Sequence, residues 1–298
     1  MDLSVVFATY KSEDILEKSL KAYCEINTKY QWELIIVDNA CREETLSLID
    51  EYKGKLPIVF LKQPKAGKNN ALNLALPLIK GGLVMFTDND IIPDKDIVDV
   101  YVEAGEKHPD INVFSGKILP DIDLPAWIDQ SWHRIRSALG IYDKGDINLS
   151  ILPQDVWGGN MMLRSEIFEQ GYSFNTGVGP SGKNYIMGSE TELLLKLEKA
   201  GFKAFYVAQC IVYHQIRQEQ LSLQWLKQRA FRSGKGVAFN QPDDSRALCG
   251  VPLYLFRKGI NEVFNLFPPL IKGDKKQLTI KYMELYHVFG KMVQSYNK

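Results

Sequence analysis

Uncharged apolar runs at residues 3–8, 58–61 and 83–87, with a fourth at 33–38 enclosed by Glu33 and Asp38, recur through the first third of the chain. Runs of this length bounded by polar residues predict strands buried on both faces, the pattern of a parallel sheet. The segments between them carry apolar residues at helical spacing. Ile15, Leu16, Leu20 and Tyr23 form one face of a helix that begins at a capping Ser12 and an acidic first turn. A second helix is predicted over 42–53. A third runs through Leu72, Leu76 and Ile79, bent or shortened by Pro77. This alternation with short loops predicts a parallel sheet wrapped by helices, with right-handed crossovers.

Past Gly105 the alternation loosens. Residues 112–116 predict another strand, and 121–146 are polar and aromatic with few element signals. Strand character returns at 156–163, which includes the pair Gly158-Gly159. Four glycines within 177–188 predict a long loop. A helix over 189–201, two short strands at 204–207 and 211–214, and a Lys- and Arg-rich helix over 221–239 follow.

The 298 residues, 45% hydrophobic and 24% charged, describe an ordinary globular chain able to bury a full core. Thirty-six basic against 36 acidic residues give no pull towards nucleic acid. The balance is local: from Gly250 onward eight Lys or Arg face three Asp or Glu, a net +5. Cys24, Cys41, Cys210 and Cys249 lie far apart without a CxxC pair, which suggests neither a disulfide framework nor a zinc knuckle and fits a reducing cytoplasm. The chain opens into a strand with no signal-peptide pattern, and no apolar run reaches membrane-span length.

Chemistry gathers at the strand ends. The run at 83–87 stops in Asp88-Asn89-Asp90, and the run at 33–38 stops in Asp38, so these carboxylates are expected at one sheet edge, where open α/β sheets bind ligands. An acidic pair there suits a hard divalent cation carrying phosphate oxygens. The plainer alternative is a turn at Asp88-Asn89 with Asp90 or Asp94 capping a helix. Lys65, Lys68, Asn69 and Asn70 stand at a loop-to-helix start between the two strand ends, a place for an anion, or are solvated. Glu190 shares a helix face with Leu194 and Leu197 and points towards the sheet, whereas Glu192 shares one with Lys196 and Lys199 and is expected at the surface, paired with Lys196. Glu190 is thus a candidate general base. His214 ends a short strand as either an edge residue or a partner of Asp90 in a Mn²⁺ or Mg²⁺ site. Arg229, Arg232 and Lys235 recur at helical spacing and either clamp a diphosphate or form a solvated face.

Taken together, Thr9-Tyr10, Val37-Asp38-Asn39, Thr87-Asp88-Asn89-Asp90 with Pro93, Gly158-Gly159-Asn160-Met161, Gly188-Ser189-Glu190-Thr191-Glu192-Leu193 and Val212-Tyr213-His214 resemble, in order and spacing, the inverting nucleotide-sugar glycosyltransferases of the GT-A fold, the large family 2 group. Each motif alone is weak, but six in order over residues 3–236 are specific. The resemblance implies an α/β fold with a Rossmann-like, mostly parallel sheet flanked by helices. It implies a catalytic domain over 1–240, with a nucleotide-binding half to about 116 and an acceptor-side half beyond it, then a basic-aromatic helical extension over 241–298. It also implies that Asp38 binds the base or ribose of the donor, that Asp88 touches ribose and sugar, and that Asp90 holds the metal, with His214 as a further ligand. Trp157, Gly158, Gly159 and Asn160 would line the donor sugar and acceptor. Thr9, Tyr10, Lys65, Lys68, Asn69, Arg229 and Arg232 complete the expected donor-binding set. Family members commonly have Glu-Asp where this chain has Ser189-Glu190, so the base is one methylene longer here and its neighbour is a serine.

The expected reaction is inverting transfer from a nucleotide-diphosphate sugar, a UDP-sugar foremost, to a saccharide or lipid-linked acceptor, with a divalent cation, Mn or Mg, as cofactor. Nucleic acid is not an expected partner. The expected location is cytoplasmic, with peripheral contact at the inner membrane face through the extension, whose Tyr254, Phe256, Phe264 and Phe267 are interleaved with cations. A nucleotidyltransferase would place a glycine-rich loop after the first strand, and Thr9-Tyr10-Lys11-Ser12 has no glycine. A binding protein of this fold that had lost catalysis would be expected to lack one of Asp88, Asp90 or Glu190.

Overall fold

The computed structural model describes residues 1–180, 186–241 and 245–296. The predicted alternation forms in order: β1 (Leu3–Thr9), α1 (Glu13–Tyr23), β2 (Trp32–Asp38), α2 (Glu43–Tyr52), β3 (Ile58–Lys62), α3 (Lys68–Ala75) and β4 (Leu83–Thr87). Pro77 has the expected effect: α3 stops at Ala75 and continues only as a 3₁₀ turn, Leu76–Leu78. Next come β5 (Ile91–Pro93), α4 (Ile97–Lys107), β6 (Val113–Pro120), α5 (His133–Ala138), β7 (Leu149–Ile151), β8 (Asn160–Arg164), α6 (Glu166–Glu169), α7 (Ser189–Lys199) and β9 (Ala204–His214). The chain continues through α8 (Leu223–Asn240), β10 (Ala247–Leu248), β11 (Val251–Pro252), α9 (Leu253–Phe264), α10 (Phe267–Lys272) and α11 (Lys275–Tyr296).

Two compact units result. One comprises Met1–Asp121, the described residues from Ile141 to Pro180, and Ser189–Gln215; the other comprises Ile122–Gly140, residues 186–188 and the described residues from Ile216 onward. Helix α8, expected with the catalytic part, therefore groups with the C-terminal helices. The first unit is built on a mixed sheet in the order β3-β2-β1-β4-β8-β6-β9-β5, with β7 beside β9. Strands β1 to β4 pair in parallel, while β8 runs antiparallel to β4 and β6.

Strand alternation sends Leu3, Val5 and Phe7 to one face, against Leu16, Leu20 and Ile49 of α1 and α2. Val6 goes to the other, with Val84, Phe86, Leu72 of α3 and Leu193, Leu194 and Leu197 of α7. Burying each such side chain contributes about 1.5–3 kcal/mol, so both helical layers are bound to the sheet by the residues that made the strands readable.

Two expectations need correction. Residues 204–214 form one strand rather than two, because the interruption at 208–210 is a bulge: pairing with β6 jumps from Gly116↔Val207 to Lys117↔Ile211. The stretch 121–146 also contains a helix, α5.

Candidate active site

Because β1 and β4 are neighbouring parallel strands, the loops after Thr9 and Thr87 meet at one sheet edge. Asn89 Nδ2 donates to Ser12 Oγ at 2.6 Å, and Ser19 Oγ donates to the Asn89 carbonyl at 2.9 Å. Ser12 is thus engaged across the loops and makes no side-chain cap on α1, contrary to expectation. Gln215, buried just past β9, donates through Nε2 to Ser19 Oγ and the Ile15 carbonyl, while its backbone N–H reaches the Asp90 carbonyl at 2.8 Å. Gln215 thus holds the Asp90 backbone, as Ser19 holds that of Asn89. Gln215 was missed in the sequence, where its only signal is that it follows His214.

Lys68 opens α3 after Gly67, whose φ of 125° lies in a region that side chains disfavour. Asn39 orders this turn, accepting from the Gly67 N–H and donating to the carbonyls of Gln63 and Lys65, each at 2.8 Å. Lys68 Nζ then lies 2.6 Å from Asp88 Oδ1 and 2.6 Å from Glu190 Oε1, bridging a strand-end carboxylate to the first turn of α7. Gly158 provides the room: a Cβ there would collide with the Glu190 carboxyl group. A Cβ at Gly159 would stand 3.8 Å from Asp88 Oδ2, and Thr87 Oγ1 donates to the Gly159 carbonyl at 2.8 Å. The glycine pair therefore lies along both acids.

The electrostatics are those of crowded acids around one ammonium. Burial pushes the Asp88 carboxyl upward, Asp90 and Glu190 add to this, and Lys68 opposes it. Burial works against the charge on Lys68, but Asp88 and Glu190 outweigh it and raise its pKa. On the far side, His214 Nε2 lies 3.3 Å from Asp90 Oδ2. A carboxylate beside an imidazole is donor chemistry suited to Mn²⁺ or Mg²⁺, and the neighbouring acids supply negative charge. Among the described residues no three His, Cys, Asp or Glu gather into an all-protein cage. Asp90 and His214 could hold such a cation only with further oxygens from a bound ligand, as where phosphates are the other ligands.

Other expected residues are placed differently. Asp38 is fully buried, and its two oxygens accept from the backbone N–H groups of Ala40 and Arg42 at 2.8 Å each. Asn160 is fully buried: its Nδ2 donates to the Lys117 and Cys210 carbonyls, and its Oδ1 accepts from the Tyr101 hydroxyl. It ties β8 to β6 and β9 inside the core and is not open to a ligand, which corrects its expected place in the lining. Asn69 is also buried and donates to the carbonyls of Asn175 and Val178. Thr9 is buried, Tyr10 and Lys65 are exposed, and half-buried Trp157 stacks on Tyr142 at 5.3 Å between ring centroids. Arg229 and Arg232 lie on α8, in the second unit. Glu192 pairs with Lys196 at 2.7 Å as expected, but its side chain is only 17% exposed, no more than that of Glu190, so it is not a surface residue. Part of the glycine-rich loop, residues 181–185, lies outside the described residues.

The sequence model of a family described as "Glycosyl transferase family 2" matches residues 4–172, more than half of the chain. The chain belongs to this family. Among curated relatives, the family 2 chain is 27% identical over 114 residues to the uncharacterized glycosyltransferase YfnE of Bacillus subtilis, covering 38% of this chain and 29% of that protein. It is 28% identical over 115 residues to the poly(ribitol-phosphate) beta-N-acetylglucosaminyltransferase TarS of Staphylococcus aureus, covering 37% and 20% respectively. These matches thus span less than a third of either relative. A solved structure of the mannosyltransferase PcManGT from Pyrobaculum calidifontis, in complex with GDP-Man and Mn²⁺, superposes with a TM-score of 0.60 at 16% identity, covering 97% of this chain and 87% of that one. That likeness shows the GT-A fold: a mixed, mostly parallel sheet flanked by helices, with a C-terminal helical region. Among the described residues no helix is long and apolar enough to cross a membrane.

Proposed function

We propose that the chain is an inverting glycosyltransferase that moves a sugar from a nucleotide-diphosphate donor to an acceptor hydroxyl. The observation that carries this reading is the Lys68 bridge between Asp88 and Glu190, with Asp90 and His214 beside it. Glu190 accepts the hydroxyl proton as the acceptor oxygen attacks the anomeric carbon. The new C–O bond forms on the face opposite the diphosphate while the old one breaks. The configuration inverts, and the nucleoside diphosphate leaves with the electron pair. Lys68 offers its ammonium to the donor phosphates, and that contact would draw it away from Glu190 and free the base. Asp88 faces the ribose and sugar, and Gly158, by leaving room for the Glu190 carboxyl group, keeps the base beside it. A divalent cation bound by Asp90 and His214 would supply Lewis-acid neutralisation of the departing diphosphate.

TarS has been solved with UDP-GlcNAc and the mannosyltransferase with GDP-Man, which supports a nucleotide-sugar donor; we favour UDP. The acceptor is a saccharide or lipid-linked saccharide of a cell-surface polymer; the name of TarS, whose polymer is a poly(ribitol-phosphate), supports a polymer acceptor. Peripheral contact with the inner membrane face belongs to the same reading.

A thermal-shift panel of UDP- and GDP-sugars, with and without Mn²⁺, tests this. A donor at about 100 times its Kd adds about 2.7 kcal/mol to the folded state, and so raises the Tm by several degrees. The expected result is a shift with one nucleotide class that is larger with Mn²⁺. No shift with any nucleotide sugar at millimolar concentration would contradict the reading.

A further inference from the structure

Ile260, Val263, Phe264, Phe267, Leu270 and Ile271 are all exposed, Phe264 at 65% and Ile271 at 82%. Their intervals of three and four residues place them on one stripe. The Phe264 and Phe267 rings, 6.4 Å apart, carry it across the junction between α9 and α10. On α9 Leu255 is buried with Val251 and Val288, and Phe256, on the stripe's own face, is partly buried against this cluster. Phe256, expected from the sequence as an outward anchor, is thus half-covered at the inner end of the stripe. Six large apolar side chains left open in one stripe form the kind of contiguous patch that marks a contact surface.

The charge around the stripe selects its occupant. Arg257, Lys258 and Lys272 are exposed and outnumber the two acids of the same stretch, Glu262 and Asp274; of the neighbouring cations Lys276 pairs with Asp129 at 3.1 Å while Lys275 lies over the Trp127 ring at 4.3 Å. A second copy would set cations against like cations, and protein interfaces are depleted in lysine. A bilayer with anionic headgroups meets both features, since apolar side chains enter the acyl boundary while the cations remain among the phosphates. We propose that the α9–α10 stripe is a membrane-insertion face for anionic lipid surfaces. It lies in the plane of the interface, because a stripe over residues 260–271 is too short to span a bilayer. This inference does not depend on the identity of the donor.

The test is co-sedimentation of the full chain with vesicles of phosphatidylcholine alone, or with about one-third phosphatidylglycerol, at low and high ionic strength. Binding is expected to the anionic vesicles and to weaken with salt. The Phe264→Ser/Ile271→Ser double variant should lower partitioning by about tenfold or more, because each loses an inserted apolar group. Both positions are exposed, so an unchanged Tm would show that folding is intact. If that Tm falls, Phe264→Tyr/Ile271→Thr serves in its place, with a smaller loss expected. Equal, salt-insensitive recovery with both vesicle types would overturn the proposal. So would a wild-type dimer in sedimentation velocity that the double variant converts to monomer, which would make the stripe an interface between copies.

Discussion

Two strand ends at the same edge of one sheet carry an aspartate each, and the structure uses them in different ways. After β2 the chain curls back through Ala40 and Cys41, the latter at a φ of 54°, and presents two backbone N–H groups to Asp38. That carboxylate is consumed in holding its own loop. After β4 the short turn Asp88-Asn89-Asp90 leads into β5, and among the described residues no backbone N–H pair meets the Asp88 carboxylate; its side chain is 38% exposed and is met by Lys68. A strand-end acid is available for chemistry when the following loop leaves its oxygens unclaimed. The residue type and its position were the same in both cases.

Substitutions can separate the two roles. The largest effect is expected at the acidic loop itself: Asp90→Ala, or removal of divalent cations by chelation, should lower transfer by about 10³-fold or more, since the leaving diphosphate loses its counter-charge. Full activity in excess chelator would remove the metal from the mechanism. Lys68→Met leaves Asp88 and Glu190 side by side without their shared ammonium. Because Asp88 is partly exposed, the expected loss is about 1–3 kcal/mol in urea unfolding rather than the larger cost of a fully buried pair.

The contrast is sharpest in the paired isosteres. Asp38→Asn exchanges an accepting oxygen for an amide that faces a backbone N–H and should destabilise by about 1.5–3 kcal/mol. Asp88→Asn relieves carboxylate crowding and should change stability by less than about 1 kcal/mol while abolishing transfer. Equal destabilisation by both would erase the distinction between the two loops.

The acid side of such measurements must first be cleared of a group elsewhere. His287 of α11 is buried in the second unit, and burial, helped by Arg134, Lys291 and Lys258, pushes its pKa from 6.5 down to about 3. Between these values the unfolded chain holds a proton that the folded chain does not, so stability falls as the pH drops below 6.5. The slope is about 1.4 kcal/mol per pH unit at most. His287→Gln should flatten that limb of the pH–stability curve; an unchanged slope would place the titrating group elsewhere.

What could be read from the sequence follows the same physics. Strands β1 to β4 and their helices were legible because each apolar run is buried on both faces, and α3 ended where Pro77 required. Glu190 was placed towards the sheet because its face is shared with Leu194 and Leu197. Long-range pairing was not legible. Nothing local marks Asn160 as a core tie rather than a lining residue, Ser12 as an acceptor for Asn89, or the interruption at 208–210 as a bulge within one strand. Lys68 was singled out as a cation for phosphate, but its bridge to Glu190 joins residues 122 apart in sequence and exists only once α7 is docked.

The most direct test of the account is single-turnover transfer by Glu190→Gln, with Glu192→Gln beside it, once a donor has been identified. Gln keeps size and hydrogen bonding but cannot take the hydroxyl proton. Transfer is expected to be lower by about 10² to 10⁴ in Glu190→Gln, with donor affinity within a few fold of wild type and Glu192→Gln still active. An active Glu190→Gln beside an inactive Glu192→Gln would contradict it and move the base to the other acid of α7.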